Sequence, residues 1–211
     1  MGLEFVDLFD RWAESYDQTV AGVDEEYKEV FEGYGQILNE VAKRSSGHIL
    51  EFGVGTGNLS SLLLAKTDDF TGIEPSEKMR LIATKKLNHT ILPGDFLHFP
   101  SLDKQVETIV STYAFHHLTD EEKREAANLY SELLNTGHKV VFADTMFIND
   151  DAKNEIIIDA KKKDHLNLAE DLQTEYYTTI PMLTDIFEES NFDVSFQAMN
   201  TFVWILEATK R

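Results

Sequence analysis

Three alternate glycines follow closely on the apolar run 48–50, in the order Gly53, Gly55 and Gly57. Such a loop between a buried strand and a helix lets the backbone approach a nucleoside closely, because no side chain stands in the way. A dinucleotide-binding loop would have its third glycine at the position of Asn58, where it brings a pyrophosphate onto the helix N-terminus. The spacing therefore favours a nucleoside ligand that has no pyrophosphate.

Two acidic residues stand at the ends of the next two apolar runs. Glu74 precedes Pro75, and Asp95 follows Gly94. In an open sheet of parallel strands the carboxyl ends lie along one edge, and ligands bind in the crevice there. We therefore expect the glycine loop, Glu74 and Asp95 to offer groups to the same ligand.

A histidine pair, His116 and His117, follows the fourth apolar run, and Asp144 ends the fifth. A histidine near its unperturbed pKa suits proton removal at neutral pH. A structural role, with one histidine packed under the loop and the other in solvent, is about as common. Asp144 would position an amine or a hydroxyl group, or it would cap the next helix.

The elements that would position these residues alternate between strand and helix. Apolar runs predict strands over 49–52, 70–74, 90–93 and 108–112, with helices over 57–66 and 76–87. Such alternation implies a parallel sheet with right-handed crossovers.

The next helix carries its own start signal. Thr119 and Glu122 form a capping box, which predicts a helix from Asp120 to about Leu134. Gly137 would end it, and a fifth strand is predicted over 139–143.

The two ends of the chain differ from this alternating core. Apolar residues recur at intervals of three and four from Tyr27 to Val41, which predicts an amphipathic helix of about five turns. Residues 150–178 are charged and largely helical in pattern. Two strands over 192–199 and 201–208 are so closely joined that they must be antiparallel.

We therefore predict an α/β fold: a Rossmann-like, doubly wound, mostly parallel sheet that ends in an antiparallel hairpin, with N-terminal helices. One domain is expected to span residues 1–211. Its predicted parts are N-terminal helices (1–46), a cofactor-binding core (47–144), a substrate lid and helix (145–190) and the hairpin (191–211).

Together these residues resemble the class I S-adenosylmethionine-dependent methyltransferases, whose glycine loop, ribose acid and adenine-side acid come in this order at about these separations. The resemblance also includes Trp12 to Asp17, the run Ser111 to Leu118 and the closing Phe202 to Trp204. Within that superfamily the chain looks most like the small bacterial methyltransferases of the YrrT type. The resemblance implies S-adenosylmethionine as the cofactor, but no particular methyl acceptor.

The parts of this cofactor suggest partners for particular side chains. Glu74 would accept hydrogen bonds from both ribose hydroxyls, and Asp95 from the adenine amino group. Glu51 would orient the glycine loop or the ammonium group, and by resemblance Tyr16 would close over the methionyl end. The predicted cofactor-binding set is Tyr16, Glu51, Gly53, Gly55, Gly57, Glu74, Met79, Asp95, Phe96 and Ser111.

Each of the three acids also has a purely structural interpretation. Glu74 would be a helix N-terminal acid, favourable with the helix dipole. Asp95 would be a turn acid, and Glu51 a buried acid at a strand end.

Catalysis of methyl transfer needs little from the protein, because the sulfonium is a good leaving group and the acceptor need only be aligned for in-line displacement. A base matters only if the acceptor loses a proton, and His116 and His117 are the predicted catalytic residues because they would border the expected methyl position. By position, residues 151–177 would form the substrate lid, with His165, Tyr176 and Tyr177 among them.

The composition bears on the partners. Lys plus Arg number 19 against 38 for Asp plus Glu, and the net charge of −19 would repel DNA and RNA. The basic run Lys161–Lys163 lies between Asp159 and Asp164, as expected of a solvated helix face. The fourth strand also lacks the Asn/Asp-Pro-Pro-Tyr run with which nucleic-acid amino-methyltransferases hold a base. We therefore expect a small-molecule acceptor and no nucleic acid.

The location follows from similar arguments. Zero cysteines exclude disulfides, thiol nucleophiles and cysteine-ligated zinc, and no metal site is predicted. No run of eighteen apolar residues is present, and the start of the chain is acidic where a signal peptide would be basic. We expect a cytoplasmic protein that does not bind membranes.

Two other functions remain open at this point. One is a protein that binds S-adenosylmethionine or S-adenosylhomocysteine without turnover. The other is a nicotinamide-dependent oxidoreductase, which Asn58 and the closing hairpin disfavour.

Overall fold

The computed structural model of the chain describes residues 10, 13, 16–20 and 22–211. Trp12, which belongs to the N-terminal motif, lies outside these residues. Seven strands form one sheet in the order β3-β2-β1-β4-β5-β7-β6. The strands are β1 Ile49–Phe52, β2 Phe70–Ile73, β3 Ile91–Leu92, β4 Thr108–Thr112, β5 Lys139–Thr145, β6 Phe192–Ala198 and β7 Val203–Lys210.

The strand pairing confirms the predicted fold class. Strands β1 to β5 pair in parallel, whereas β7 is antiparallel to both β5 and β6. The strand order reverses at β1, which pairs with β2 on one side and β4 on the other. In open α/β sheets such a reversal opens a crevice at the carboxyl ends of the strands, where ligands bind.

Helices cover both faces of this sheet. Within the described part of the chain they are α1 Tyr16–Val20, α2 Tyr34–Arg44, α3 Asn58–Leu64, α4 Glu77–Leu87, α5 Asp120–Leu133, α6 Asp150–Lys162, α7 Leu166–Thr174 and α8 Ile180–Glu189, with a 3₁₀ turn at Phe115–His117. None of these helices is long and apolar enough to cross a membrane.

Two apolar clusters pack on opposite faces of the sheet, because successive side chains of a strand point to opposite sides. Val110 and Val141 pack with α2, α3, α6 and α7. Ile109 and Val140 pack with α5 and α8. The central strands β1, β4 and β5 are therefore buried on both faces, and their carboxyl ends remain for a ligand.

The start of α2 corrects one prediction. The helix begins at Tyr34, not at Tyr27, and residues 25–33 form successive turns. Gly33 has a φ of 73°, a left-handed conformation that ends the turns and lets the chain change direction. Val30 is nevertheless buried, so the apolar spacing located the core-facing residues but not the helix.

The capping box is confirmed. The Thr119 hydroxyl accepts a hydrogen bond from the Glu122 amide at 3.2 Å, and the Glu122 carboxylate accepts one from the Thr119 amide at 2.8 Å. The helix that follows, α5, ends within one residue of its predicted end.

Candidate active site

The glycine loop after β1 packs closely against the loop after β4. Gly53 has a φ of 66°, and a Cβ built on it would lie 2.8 Å from the Cβ of Ala114. A larger residue at position 53 would push the two loops apart. The glycine therefore keeps the carboxyl ends of β1 and β4 close together.

Glu74 connects this loop to the end of β2. Its carboxylate accepts hydrogen bonds from the amides of Gly55 at 2.7 Å and Ser76 at 2.9 Å. Burial raises the pKa of Glu74 to about 7, although both amides favour the charged form. Glu74 is thus buried and bonded to backbone, and each of its oxygens retains a second lone pair for a ligand.

A cleft opens above this loop, at the carboxyl ends of β1, β2 and β4. Five of the ten predicted cofactor residues line it. The lining residues are Tyr16, Gly53, Gly55, Glu74, Pro75, Met79, Thr112, Tyr113 and Ala114. We call this space the cofactor cleft.

Two buried hydroxyls near the cofactor cleft have no hydrogen-bond partner among the described residues. They belong to Ser111 and Tyr113. The Ser111 Oγ lies 3.8 Å from the position that a Cβ on Gly53 would occupy. A buried hydroxyl without a partner is costly, so both atoms fit a site that a polar ligand completes.

Four other predicted residues occupy positions around the cleft and do not line it. Glu51 lies under the loop, where it accepts a hydrogen bond from the Ser60 hydroxyl at 2.6 Å. Burial raises the pKa of Glu51 to about 8. Gly57 precedes α3 with a φ of 86°. Glu51 therefore lies beneath the glycine loop and is hydrogen-bonded to α3, the helix that follows the loop.

The residues predicted for the adenine end are Asp95 and Phe96. Asp95 Oδ1 accepts hydrogen bonds from the amides of Leu97 at 2.8 Å and His98 at 3.0 Å, so it holds a turn. The ring of Phe96 is buried in the core, with its centroid 5.3 Å from that of Phe52.

Helix α1 lies against the glycine loop. Asp17 accepts hydrogen bonds from the Thr56 hydroxyl at 2.6 Å and from the Asn58 side chain at 3.0 Å. The Tyr16 hydroxyl is hydrogen-bonded to that of Tyr34. Helix α1 is therefore attached to the loop by specific polar contacts.

A second pocket adjoins the cleft and shares Tyr16 and Tyr113 with it. Aromatic rings and ionisable side chains line this space, which we call the acceptor pocket. Its lining includes Tyr16, Tyr27, Phe31, Tyr113, His116, His117, Asp171, Glu175 and Tyr177.

His116 is held at both ring nitrogens. Its Nδ1 lies 2.6 Å from Asp144 Oδ1, and its Nε2 lies 3.3 Å from Glu175 Oε2. Burial disfavours its charged form, but the two carboxylates outweigh burial and raise the pKa of His116 to about 10. The Asp144 carboxylate also accepts a hydrogen bond from the His116 amide at 2.9 Å, so this histidine is rigidly positioned.

His117 has the opposite charge behaviour. Burial and the neighbouring charge of His116 lower the pKa of His117 to about 3, so its imidazole is neutral at physiological pH. The two rings lie with their centroids 4.0 Å apart. The predicted pair therefore consists of one charged and one neutral imidazole.

Residues 175–178, which we call the strap, close the acceptor pocket. The buried Lys123 ammonium group donates hydrogen bonds to the carbonyls of Leu118 and Tyr176, the latter at 2.7 Å. Lys153 donates to the Tyr177 carbonyl at 3.0 Å. Within the predicted lid, Tyr177 thus reaches the site, and its ring stacks on His116 with the centroids 4.5 Å apart.

His165, also in the predicted lid, lies elsewhere. It precedes α7 and lines a surface groove together with Glu25 and Glu29.

Sequence reasoning gave no role to Tyr113, Asp171 or Glu175. Tyr113 has a φ of 54°, which is an uncommon backbone conformation for a bulky residue. The residues around Tyr113 in the sequence do not predict this conformation.

Known proteins that are similar in sequence indicate the family to which the chain belongs. A family model described as a methyltransferase domain matches residues 49–137. A relative from Anoxybacillus flavithermus, named an uncharacterized methyltransferase, is 55% identical over 212 residues and covers 100% of both chains. A relative from Geobacillus, also named an uncharacterized methyltransferase, is 54% identical over 213 residues with the same coverage.

Solved structures share the fold at lower identity. The magnesium protoporphyrin IX methyltransferase from Synechocystis, crystallised with bound SAH, is 17% identical with a TM-score of 0.72 over 97% of each chain. A methyltransferase from Thermotoga maritima, described as a possible histamine N-methyltransferase, is 17% identical with a TM-score of 0.68, over 97% of this chain and 99% of that one. Both similarities cover nearly the whole of this chain.

Proposed function

The chain belongs to the S-adenosylmethionine-dependent methyltransferases, and we propose that it transfers the cofactor's methyl group to a small molecule held in the acceptor pocket. One observation carries the proposal: the cofactor cleft and the acceptor pocket meet at a common wall, formed by Tyr16 and Tyr113. A methyl group leaving one space would enter the other directly.

The residues of the cofactor cleft fit this cofactor. Glu74 would accept hydrogen bonds from the ribose hydroxyls, and Met79 would provide an apolar wall. The hydroxyls of Ser111 and Tyr113 would gain partners that the described residues do not give them. S-adenosylmethionine supplies the methyl group on a positively charged sulfur, so the protein's part is to align the acceptor and exclude water.

The acceptor pocket can position a small molecule without a conformational change of His116. That imidazole is engaged by carboxylates at both nitrogens, so we assign it a positioning role. Because burial and the charge of His116 lower the pKa of His117 to about 3, its neutral imidazole is a weak base and is better suited to bind a cation than to take a proton. Aromatic rings from Tyr27, Phe31 and Tyr177 would pack on the apolar part of the acceptor.

Thermal denaturation tests the cofactor half of this proposal. S-adenosylmethionine and S-adenosylhomocysteine should each raise the melting temperature, whereas NAD should not, because only a ligand of the folded state stabilises it by mass action. No shift at saturating concentrations of either sulfur nucleoside would contradict the proposal.

A metabolite screen tests the acceptor half. The protein would be incubated with fractionated cell extract and methyl-labelled S-adenosylmethionine, and labelled products identified by mass spectrometry. The expected result is one labelled small molecule that forms with the wild type and much more slowly with Glu74→Gln. Cofactor binding without any labelled product would favour a protein that binds the nucleoside without turnover.

A further inference from the structure

We propose that His116, His117 and Glu175 bind a divalent transition-metal ion at the inner end of the acceptor pocket. Each residue offers one ligand atom, and these atoms all lie within 4.8 Å of one another. His116 and His117 are buried, and the Glu175 side chain is 10% exposed. No sequence motif marked these residues as a metal site, because Glu175 lies far from the histidines in the chain.

One pair of ligand atoms already has the spacing of a metal site. His116 Nε2 and Glu175 Oε2 are 3.3 Å apart. Two ligands at zinc-ligand distances of about 2.1 Å and at a tetrahedral angle are separated by about 3.4 Å. The imidazole of His117 completes the site, because one of its ring nitrogens lies within 4.8 Å of the ligand atoms of the other two residues.

A carboxylate orients the first histidine from behind. Asp144 Oδ1 lies 2.6 Å from His116 Nδ1, on the opposite side of the ring from Nε2. Metal-binding histidines almost always donate their other N–H to a carboxylate, a carbonyl or water, which fixes the tautomer and the ring direction. His116 has this arrangement, with Asp144 at its Nδ1 and Glu175 at its Nε2.

The local charge also calls for a cation. The carboxylates of Asp144 and Glu175 both contact the His116 ring, at 2.6 Å and 3.3 Å. The ammonium group of Lys123 is directed to carbonyls of Leu118 and Tyr176. A divalent ion at His116 Nε2 would balance these two carboxylates, which lowers the cost of burying them.

The ligand set indicates the kind of metal. Two imidazoles and one carboxylate suit zinc, iron(II), cobalt(II) or manganese(II), whereas magnesium and calcium prefer oxygen ligands only. Three protein ligands leave at least one coordination position open. In this pocket an oxygen or nitrogen atom of the methyl acceptor would take that position, a consequence that rests on the proposed function.

Calorimetric titration of the chelator-treated protein with Zn²⁺, in buffer with excess Mg²⁺ to occupy surface carboxylates, tests the site. We expect one Zn²⁺ per chain, and binding at least about tenfold weaker in His117→Gln and Glu175→Gln. Asp144→Asn, which leaves all three ligands in place, should weaken binding by about 10–100-fold. His89→Gln is the matched control, because His89 precedes β3 at the opposite edge of the sheet.

Two further readouts keep the test decisive. Co²⁺ bound to the wild type should give visible absorption bands, and Zn²⁺ should abolish them by displacing Co²⁺. This measurement uses only the wild type, so it does not depend on whether the variants fold. The thermal shift produced by S-adenosylhomocysteine, which binds in the separate cleft, should remain in each folded variant. Equal Zn²⁺ binding in all variants, no Zn²⁺ binding to the wild type, or stabilisation by simple amines but not by Zn²⁺ would overturn the metal site while leaving the proposed function intact.

Discussion

Glu74 is the single residue on which the placement of the cofactor depends most. In Glu74→Gln one side-chain oxygen remains to accept from a backbone amide, but the negative charge and one acceptor are lost. Hydrogen bonds to charged groups contribute on the order of 1.5–3 kcal/mol, so the dissociation constant of S-adenosylhomocysteine should rise by about tenfold or more. Isothermal titration measures this.

The control for that experiment is Glu77→Gln, on the exposed first turn of α4. Circular dichroism would confirm that both variants fold. If both variants bind as the wild type does, Glu74 serves only to hold the Gly55 and Ser76 amides.

Glu51 makes the stability of the protein depend on pH. Burial raises its pKa from the usual value of 4.5 to about 8 in the folded state, so the folded state holds the proton more tightly. The contribution of this carboxyl group to the free energy of unfolding is fully present below about pH 4.5. That contribution is lost as the pH rises through about 8. Glu51→Gln keeps an acceptor for Ser60 and has no charge to bury.

The variant should therefore be more stable than the wild type at about pH 9, by on the order of 1–4 kcal/mol, with little difference at about pH 4.5. Urea denaturation across this pH range gives the comparison, with the exposed Glu125→Gln as control. A difference between wild type and Glu51→Gln that does not grow with pH would contradict the buried, protonated state of Glu51.

At the residue scale, the sequence predicted the contacts that are local along the chain. The glycine loop and Glu74 follow strand ends that the apolar pattern marks, so their meeting could be expected. Glu175 and Asp171 lie in a charged stretch without a motif, and their approach to His116 depends on how the strap packs. Glu74 is also more deeply buried than its position at a strand end suggested.

Among the elements, the strap depends on Lys123. Replacing Lys123 with Met leaves the carbonyls of Leu118 and Tyr176 without the partner that the ammonium group provides, at a cost of about 1–3 kcal/mol for each. We expect a lower melting temperature and faster hydrogen exchange in residues 175–178. Affinity for S-adenosylhomocysteine should be essentially unchanged, because Lys123 does not line the cofactor cleft.

Arg124→Met serves as the matched control, since Arg124 pairs with Glu189 on the surface. Hydrogen exchange followed by mass spectrometry would locate the effect. Exchange that accelerates across the whole chain, and not first in the strap, would mean that Lys123 stabilises the fold generally.

The elements themselves were predicted unevenly, for physical reasons. Helix α5 was located within a residue because a capping box marks its start. The prediction of a helix from Tyr27 was wrong for the first two turns, where the chain forms successive turns and no helix. Apolar residues at intervals of three and four also occur where such turns pack against a core. Gly33 in a left-handed conformation was the local signal for this break.

For the whole molecule, the net charge of −19 predicts that nucleic acid is not a partner. The protein should not retain duplex DNA or RNA measurably at physiological salt, because 38 acidic residues against 19 basic ones repel phosphate groups. Lys163, in the basic run, is paired with both Glu29 and Asp159. Submicromolar retention in a filter assay would contradict this expectation.

The overall fold was predictable because the alternation of strands and helices extends through most of the chain. The parallel pairing of the sheet follows from this alternation, and the closing hairpin from two strands joined by a short turn. The acceptor pocket was not predictable in the same way. It is assembled from α1, the turns before α2, the histidine turn and the strap, which are distant from one another in sequence.

Tyr16 belongs to the walls of both spaces, and this predicts a compulsory kinetic order. If α1 must lift from the glycine loop to admit the cofactor, the same movement removes one wall of the acceptor pocket. The acceptor should therefore bind second, and the demethylated nucleoside should leave last. In steady-state kinetics S-adenosylhomocysteine should inhibit competitively against S-adenosylmethionine, whereas an unreactive acceptor analogue should inhibit uncompetitively against it. Competitive inhibition by that analogue would mean that the acceptor enters by a route that Tyr16 does not control.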